Sequence, residues 1–68
     1  SAAAVREALK ALSREHREVL TLCDMEGCSY EEIAQVLGVA VGTVRSRVSR
    51  ARDALRRRLM EASEVGAV

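Results

Sequence analysis

Seven arginines stand close together late in this chain, at positions 45, 47, 50, 52, 56, 57 and 58, with Asp53 as the one acid among them. A guanidinium is a planar fork of N–H donors that fits phosphate oxygens and the O6/N7 edge of guanine. Two short hydroxyls, Ser46 and Ser49, are interleaved with them. This chemistry needs a scaffold that points it one way. At about 100° per residue, Val41, Val44, Val48, Ala51 and Leu55 fall within one narrow arc, the stripe a helix buries. Ser46, Ser49, Arg50 and Arg57 point away from that stripe, and Arg45, Arg52 and Arg56 flank one of its edges. The stretch therefore reads as a helix with an apolar side to dock on a small core and a basic, hydroxyl-bearing side left outside. Such a face suits the major groove of DNA, with arginines for phosphates and guanine edges and small hydroxyls where the backbones come close.

The elements that would hold this helix follow from caps and spacing. Ala2 to Leu12 consists of helix formers, with Val5, Ala8, Leu9 and Leu12 on one face. Ser13 is an N-cap for a second helix running to about Glu26, with Val19, Leu20, Leu22 and Cys23 inward and Gly27 as its stop. Ser29-Tyr30-Glu31-Glu32 is a capping box that opens a short helix, Tyr30 to Leu37. Ile33, Ala34 and Leu37 face inward there, and Gly38 ends it. Gly38-Val39-Ala40 leaves room only for a sharp corner before the arginine-rich helix, expected over about 41–60. Two helices joined by a three-residue turn headed by glycine form a helix-turn-helix, and the small Ala34 lets the two axes approach closely. The expected fold is all-α: a small four-helix domain with a C-terminal helix-turn-helix. The tail, 61–68, shows no periodicity and is expected to fray.

Length and composition bound the rest. Sixty-eight residues make one domain, and a domain this small buries only about 60% of the surface of its unfolded chain. With no Phe or Trp and a single Tyr, the apolar volume comes from Leu, Val and Ala, which favours packed helices over a sheet. The net charge of +1 conceals an asymmetry: residues 1–44 balance to −3, 45–60 to +6 and 61–68 to −2. A basic end on a near-neutral chain implies an anionic partner met by one face. Cys23 and Cys28 are too few for a disulfide scaffold and poorly spaced for zinc, and are read as ordinary core or boundary residues. No metal or cofactor is expected. With no signal peptide and no run long enough to span a bilayer, a cytoplasmic setting without a membrane partner is expected. The missing initiator Met and the Ser-Ala-Ala-Ala opening suggest that 1–68 is one domain of a longer protein.

The segments EGCSYEEIAQVLGV and VGTVRSRVSRAR resemble region 4 of the bacterial sigma factors, specifically the extracytoplasmic-function group. The likeness covers about Leu12 to Leu59. Ser13 stands where that family often has proline, and Ala40 occupies a variable turn position. The resemblance implies recognition of the −35 promoter element in double-stranded DNA. It also implies a hold on RNA polymerase core through the β-subunit flap, and an anti-sigma protein as a further partner. The DNA-contacting set it leads to is Thr43, Arg45, Ser46, Arg47, Ser49, Arg50, Arg52 and Arg56. Arg45, Ser46, Ser49 and Arg50 match the family's recognition-helix contact positions, although family members often carry a bulkier residue at position 49. Arg47 lies on the flank opposite Arg45 and is open between a phosphate contact and an intramolecular or solvated charge.

Two other classes stand beside this reading. A LuxR-type output domain shares REVL, an IA pair and a TV step, but usually follows that step with a different basic pattern from VRSRVSRAR. A pure interaction module, bound by an anti-sigma protein or polymerase without touching DNA, accompanies the sigma reading more than it competes. An enzyme fails on inventory. His16 is the one histidine, and no nucleophile stands beside it in the sequence. Tyr30 is read as a packing residue at a helix start.

Overall fold

The computed structural model describes the backbone of residues 1–66 and the side chains of residues 1–62. Four α-helices follow one another: α1 (Ala2–Lys10), α2 (Arg14–Leu20), α3 (Tyr30–Leu37) and α4 (Val41–Gly66), with a π-helical turn, Thr21–Met25, continuing α2. Among the described residues there is no strand. The all-α four-helix fold expected from the sequence is what forms, with α3 and α4 as the helix-turn-helix.

The first connection is tighter than the periodicity suggests. Helix α1 ends at Lys10, not Leu12, because Ser13 must be extended to cap α2. Its backbone lies at φ −60°, ψ 157°, and its hydroxyl accepts from the His16 N–H at 3.3 Å. A helix cannot run through a residue in that conformation. The last turn of α1 closes with the Leu12 N–H donating to Leu9 O at 3.1 Å. The inward face of α1 is also narrower than expected. Ala8 and Leu12 are buried, but Val5 is 38% exposed, at the rim of a shallow cleft shared with Leu9, Leu20, Met25 and Leu55.

The second helix reaches its expected end in a wider winding. The Thr21 hydroxyl donates to Arg17 O at 2.8 Å, and the Glu26 N–H reaches Thr21 O, five residues back, at 3.0 Å. A threonine bonding back to the i−4 carbonyl loosens the following ladder, and a single π turn is a common way to absorb that. Gly27 then takes φ +69°, and the Cys28 N–H closes onto Leu22 O at 2.9 Å.

The corner of the helix-turn-helix is built as its sequence implies. The Ser29 hydroxyl accepts from the Glu32 N–H at 3.1 Å, while the Glu32 carboxylate accepts from the Ser29 N–H at 2.8 Å. The Ser29 N–H first, and then the Ser29 hydroxyl, hold the Glu32 carboxyl below the usual carboxylate range. Gly38 ends α3 in the left-handed region at φ +69°, ψ 36°, and the Val39 N–H bonds to Ala34 O at 3.1 Å. An added Cβ at Gly38 would meet nothing within 4 Å. The demand for glycine there is therefore conformational, the left-handed region costing an L-residue roughly 1–2 kcal/mol.

All this aims α4. Val44, Val48 and Ala51 are buried with Val19, Leu20, Ile33, Ala34 and Leu12 in one cluster, and Leu37, Val41 and Leu55 pack on its margin. Val19, Ile33, Val44 and Val48 are at most 1% exposed. Fully burying a side chain of this kind stabilises by about 1.5–3 kcal/mol, so these four set the tilt and rotation of α4. The backbone of α4 stays helical through Gly66, past the expected end near Met60. The tail expected to fray, 61–68, is thus helical over 61–66, and 67–68 lie outside the described residues.

Candidate nucleic-acid interface

With Val44, Val48 and Ala51 turned inward, the opposite side of α4 has nothing packed on it. Gly42, Arg45, Ser46, Ser49 and Arg50 line an open concavity of about 590 Å³ there. Arg45, Ser46, Ser49 and Arg50 are all exposed. Arg45 has no ion-pair partner among the described residues, and Arg50 is held only by a long bond from its Nε to Ser46 O, 3.4 Å. That intrahelical bond folds the Arg50 stem back toward Ser46 and leaves its terminal nitrogens free.

The remaining residues expected in the set are placed differently. Arg47 is turned toward α2, its Nε 3.7 Å from Glu15 Oε1, with its side chain only 24% exposed. At that length the contact is an ion pair and not a hydrogen bond. Arg52, on the other edge, donates to Asp24 Oδ1 at 2.8 Å and lies 3.6 Å from Cys23 Sγ. The Asp24 carboxylate holds the Arg52 guanidinium even more firmly protonated. Arg56 pairs with Asp53 at 2.9 Å, one turn back on its own helix. Thr43 is half-buried. The structure thus brings Arg45, Ser46, Ser49 and Arg50 into one open face. Arg47 and Arg52 leave α4 sideways, one on each edge, as ties to α2 and the π turn.

Asp24 and Glu15, which occupy those two arginines, were not picked out from the sequence. Their partners lie 28 and 32 positions away, and no periodicity links residues across a tertiary contact. The packing of the thiols matches expectation: Cys23 and Cys28 are half-buried at the margin of the core. Burial and then the Asp24 charge push the Cys23 thiol up, with Arg52 opposing. A thiol so placed is a poor nucleophile. Among the described residues no cluster of His, Cys, Asp or Glu could hold a metal.

An open arginine and serine face on the second helix of a helix-turn-helix is one geometry shared by several DNA-binding families. The sequence match decides among them: residues 2–55 match sigma-70 region 4. The chain belongs to the sigma-70 region 4 family. It is 54% identical over 52 residues to the ECF RNA polymerase sigma factor SigE of Mycolicibacterium smegmatis, covering 76% of this chain and 20% of that protein. To the RNA polymerase sigma-H factor of Pseudomonas aeruginosa it is 49% identical over 53 residues, 78% of this chain and 28% of that one. To the ECF RNA polymerase sigma-E factor of Escherichia coli K12 it is 47% identical over 47 residues, 69% of this chain and 25% of that one. The chain therefore spans at most 28% of the length of these relatives. The likeness to region 4 of the extracytoplasmic-function group is borne out, and nothing in these matches supports the LuxR-type alternative. In region 4 terms, α3 and the corner through Gly38 present α4, and the arginines divide into an open group and a tied group.

Proposed function

We propose that this chain reads the −35 element of promoter DNA as part of an RNA polymerase holoenzyme, with α4 as the recognition helix. The reading is supported chiefly by the open face of Arg45, Ser46, Ser49 and Arg50, which projects from a helix whose other side is locked into the core. In this reading Arg50 and Arg45 donate to base edges or the phosphates beside them, and the serines let α4 sit deep in the groove. Thr43 adds a hydroxyl at the head of the helix. Arg47 and Arg52 serve first as ties, and reach phosphates only by leaving Glu15 and Asp24. Arg56, whose partner is an exposed neighbour on the same helix, changes to a phosphate at little cost.

The relatives' names include RNA polymerase, and we carry that partner over to this chain, with the β flap and an anti-sigma protein as surfaces it meets in turn. Binding is the whole of the activity proposed, without catalysis, and in the cytoplasm, where polymerase works. Among the described residues no helix is long and apolar enough to cross a membrane. A small face making few contacts relies on the rest of the holoenzyme for affinity. The experiment is therefore promoter binding by the full-length factor with core polymerase. An intact −35 sequence should be preferred over a scrambled one, and Arg45→Ala and Arg50→Ala should erode the preference. Equal binding of the two DNAs would sink the proposal.

A further inference from the structure

Arg50 lines two clefts. One is the open concavity with Gly42, Arg45, Ser46 and Ser49; the other, of about 290 Å³, is formed with His16, Asp53, Ala54 and Arg57. His16 enters the second cleft from the first turn of α2, where the Ser13 cap fixes its backbone, and it is half-buried. Arg57 stands two turns beyond Arg50, roughly 10 Å along the helix axis.

The charges in this cleft favour an anion. From α4 it is faced by Arg50, Asp53 and Arg57, and from α2 by His16; α1 and α3 add no charged residue to its lining. Asp53, the one group that would repel an anion, is already paired with Arg56 at 2.9 Å. Glu15, beside His16 on α2, lies 3.7 Å from Arg47. Arg57 has no ion-pair partner among the described residues. The side chains of Arg50, Arg57 and His16 thus line one recess of molecular size, which adjoins the open concavity at Arg50.

We propose that the His16–Arg50–Arg57 cleft seats one backbone phosphate of the promoter, with protonated His16 as its third donor. This rests on the DNA-reading role of α4 and extends it to a residue outside that helix. An imidazole changes charge between about pH 5 and 8, and a phosphate against it favours the protonated form. Binding therefore takes up a proton, so affinity rises as pH falls, by at most about tenfold per pH unit for a single site. His16 is the chain's only histidine.

The test measures holoenzyme binding to promoter DNA from pH 6 to 8 at constant ionic strength, for the native factor, His16→Gln and His16→Arg. The native factor should bind more tightly at pH 6, His16→Gln should lose that gain, and His16→Arg should bind tightly with the gain also abolished. A scan of neutral methylphosphonates along the −35 region should find one position that removes the pH dependence of the native factor and costs His16→Gln less. Melting of the variants separates this from a folding defect, which would lower the melting temperature without selecting one phosphate. If His16→Gln keeps the full pH dependence, or no single phosphate is coupled to it, the cleft is not a phosphate seat. Arg45→Ala measured alongside tells the two failures apart. If Arg45→Ala still loses −35 preference, only this inference falls, whereas if it binds like the native factor, the reading of α4 falls with it.

Discussion

The two faces of α4 are one residue apart in sequence and opposite in what they do. Val48 is 1% exposed and packs with Val19, Ile33 and Val44, while Ser49, its neighbour, is exposed beside Arg45 and Arg50. The first face carries stability, and the second is the one proposed to carry recognition. Neither does the other's work directly, but the first decides where the second points. The contrast is useful because substitutions one position apart should act on different measurements.

The largest effect is expected on the buried face. Val48→Asp would place a charge with no partner in a dry cluster, a change costing several kcal/mol. A domain of this size holds only about 3–5 kcal/mol in total. It should not fold, and circular dichroism should show the helical signal lost at room temperature. Val48→Ala removes two methyl groups and leaves a small cavity, at a cost of roughly 1–3 kcal/mol. Ser49→Ala should change the melting temperature little, since exposed substitutions usually stay within about 0.5 kcal/mol. If Ser49→Ala proved the more destabilising of the two alanines, the rotation of α4 on the core would be wrong.

Next comes the outer face. Arg50→Ala should cost about 1–3 kcal/mol of binding to the cognate −35 sequence and relax preference at one base pair. The melting temperature should hold, because Arg50 has no contact with the core and only a 3.4 Å bond within its own helix. Equal losses on cognate and scrambled DNA would make Arg50 a phosphate contact alone.

The corner between the faces can be tested by itself. Gly38→Ala meets no steric obstacle, yet must hold φ near +69°. It should destabilise by roughly 1–2 kcal/mol and loosen binding through the angle of α4. A neutral result would show that the corner can relax into another turn without moving the recognition face.

How much of this was legible beforehand depends on the range of the interaction. The cap at Ser29, the stop at Gly38 and the stripe of Val44, Val48 and Ala51 are local signals, governed by backbone geometry within a turn or two, and they read correctly. The same helical period turned Ser46, Ser49 and Arg50 outward, whereas it left Arg45 at the edge of the stripe, and the resemblance to region 4 is what joined Arg45 to them. The period could not show that Arg47 meets Glu15 or that Arg52 meets Asp24, because α2 and the π turn reach those positions only after packing. Val5 shows the same limit. It lies on the correct face of α1, but α1 sits beside α4 so that Ala8 and Leu12 take the buried places. The π turn depends on one hydroxyl, Thr21, choosing its i−4 carbonyl, a choice that helix propensity does not register.

The smallest expected effect concerns the tied arginines, and it sharpens the comparison most. Arg52 and Asp24 form a 2.8 Å pair, with the two side chains 47% and 48% exposed. Exposed pairs of this kind contribute about 0.2–1 kcal/mol, and this one joins α4 to the turn that follows α2. If Arg52 is only a tie, Arg52→Ala and Asp24→Asn should lower the melting temperature by similar small amounts. The double variant should then cost little more than either alone, and the salt dependence of promoter binding should not move. If Arg52 also reaches a phosphate, Arg52→Ala should reduce the salt slope by about one unit, while Asp24→Asn, which releases the guanidinium, should strengthen binding to all sequences alike. Arg56→Ala is the reference, because its partner Asp53 lies on the same helix and holds nothing together. A slope change for Arg56 but not for Arg52 would place the boundary of the DNA-facing surface between them, one turn of α4 apart.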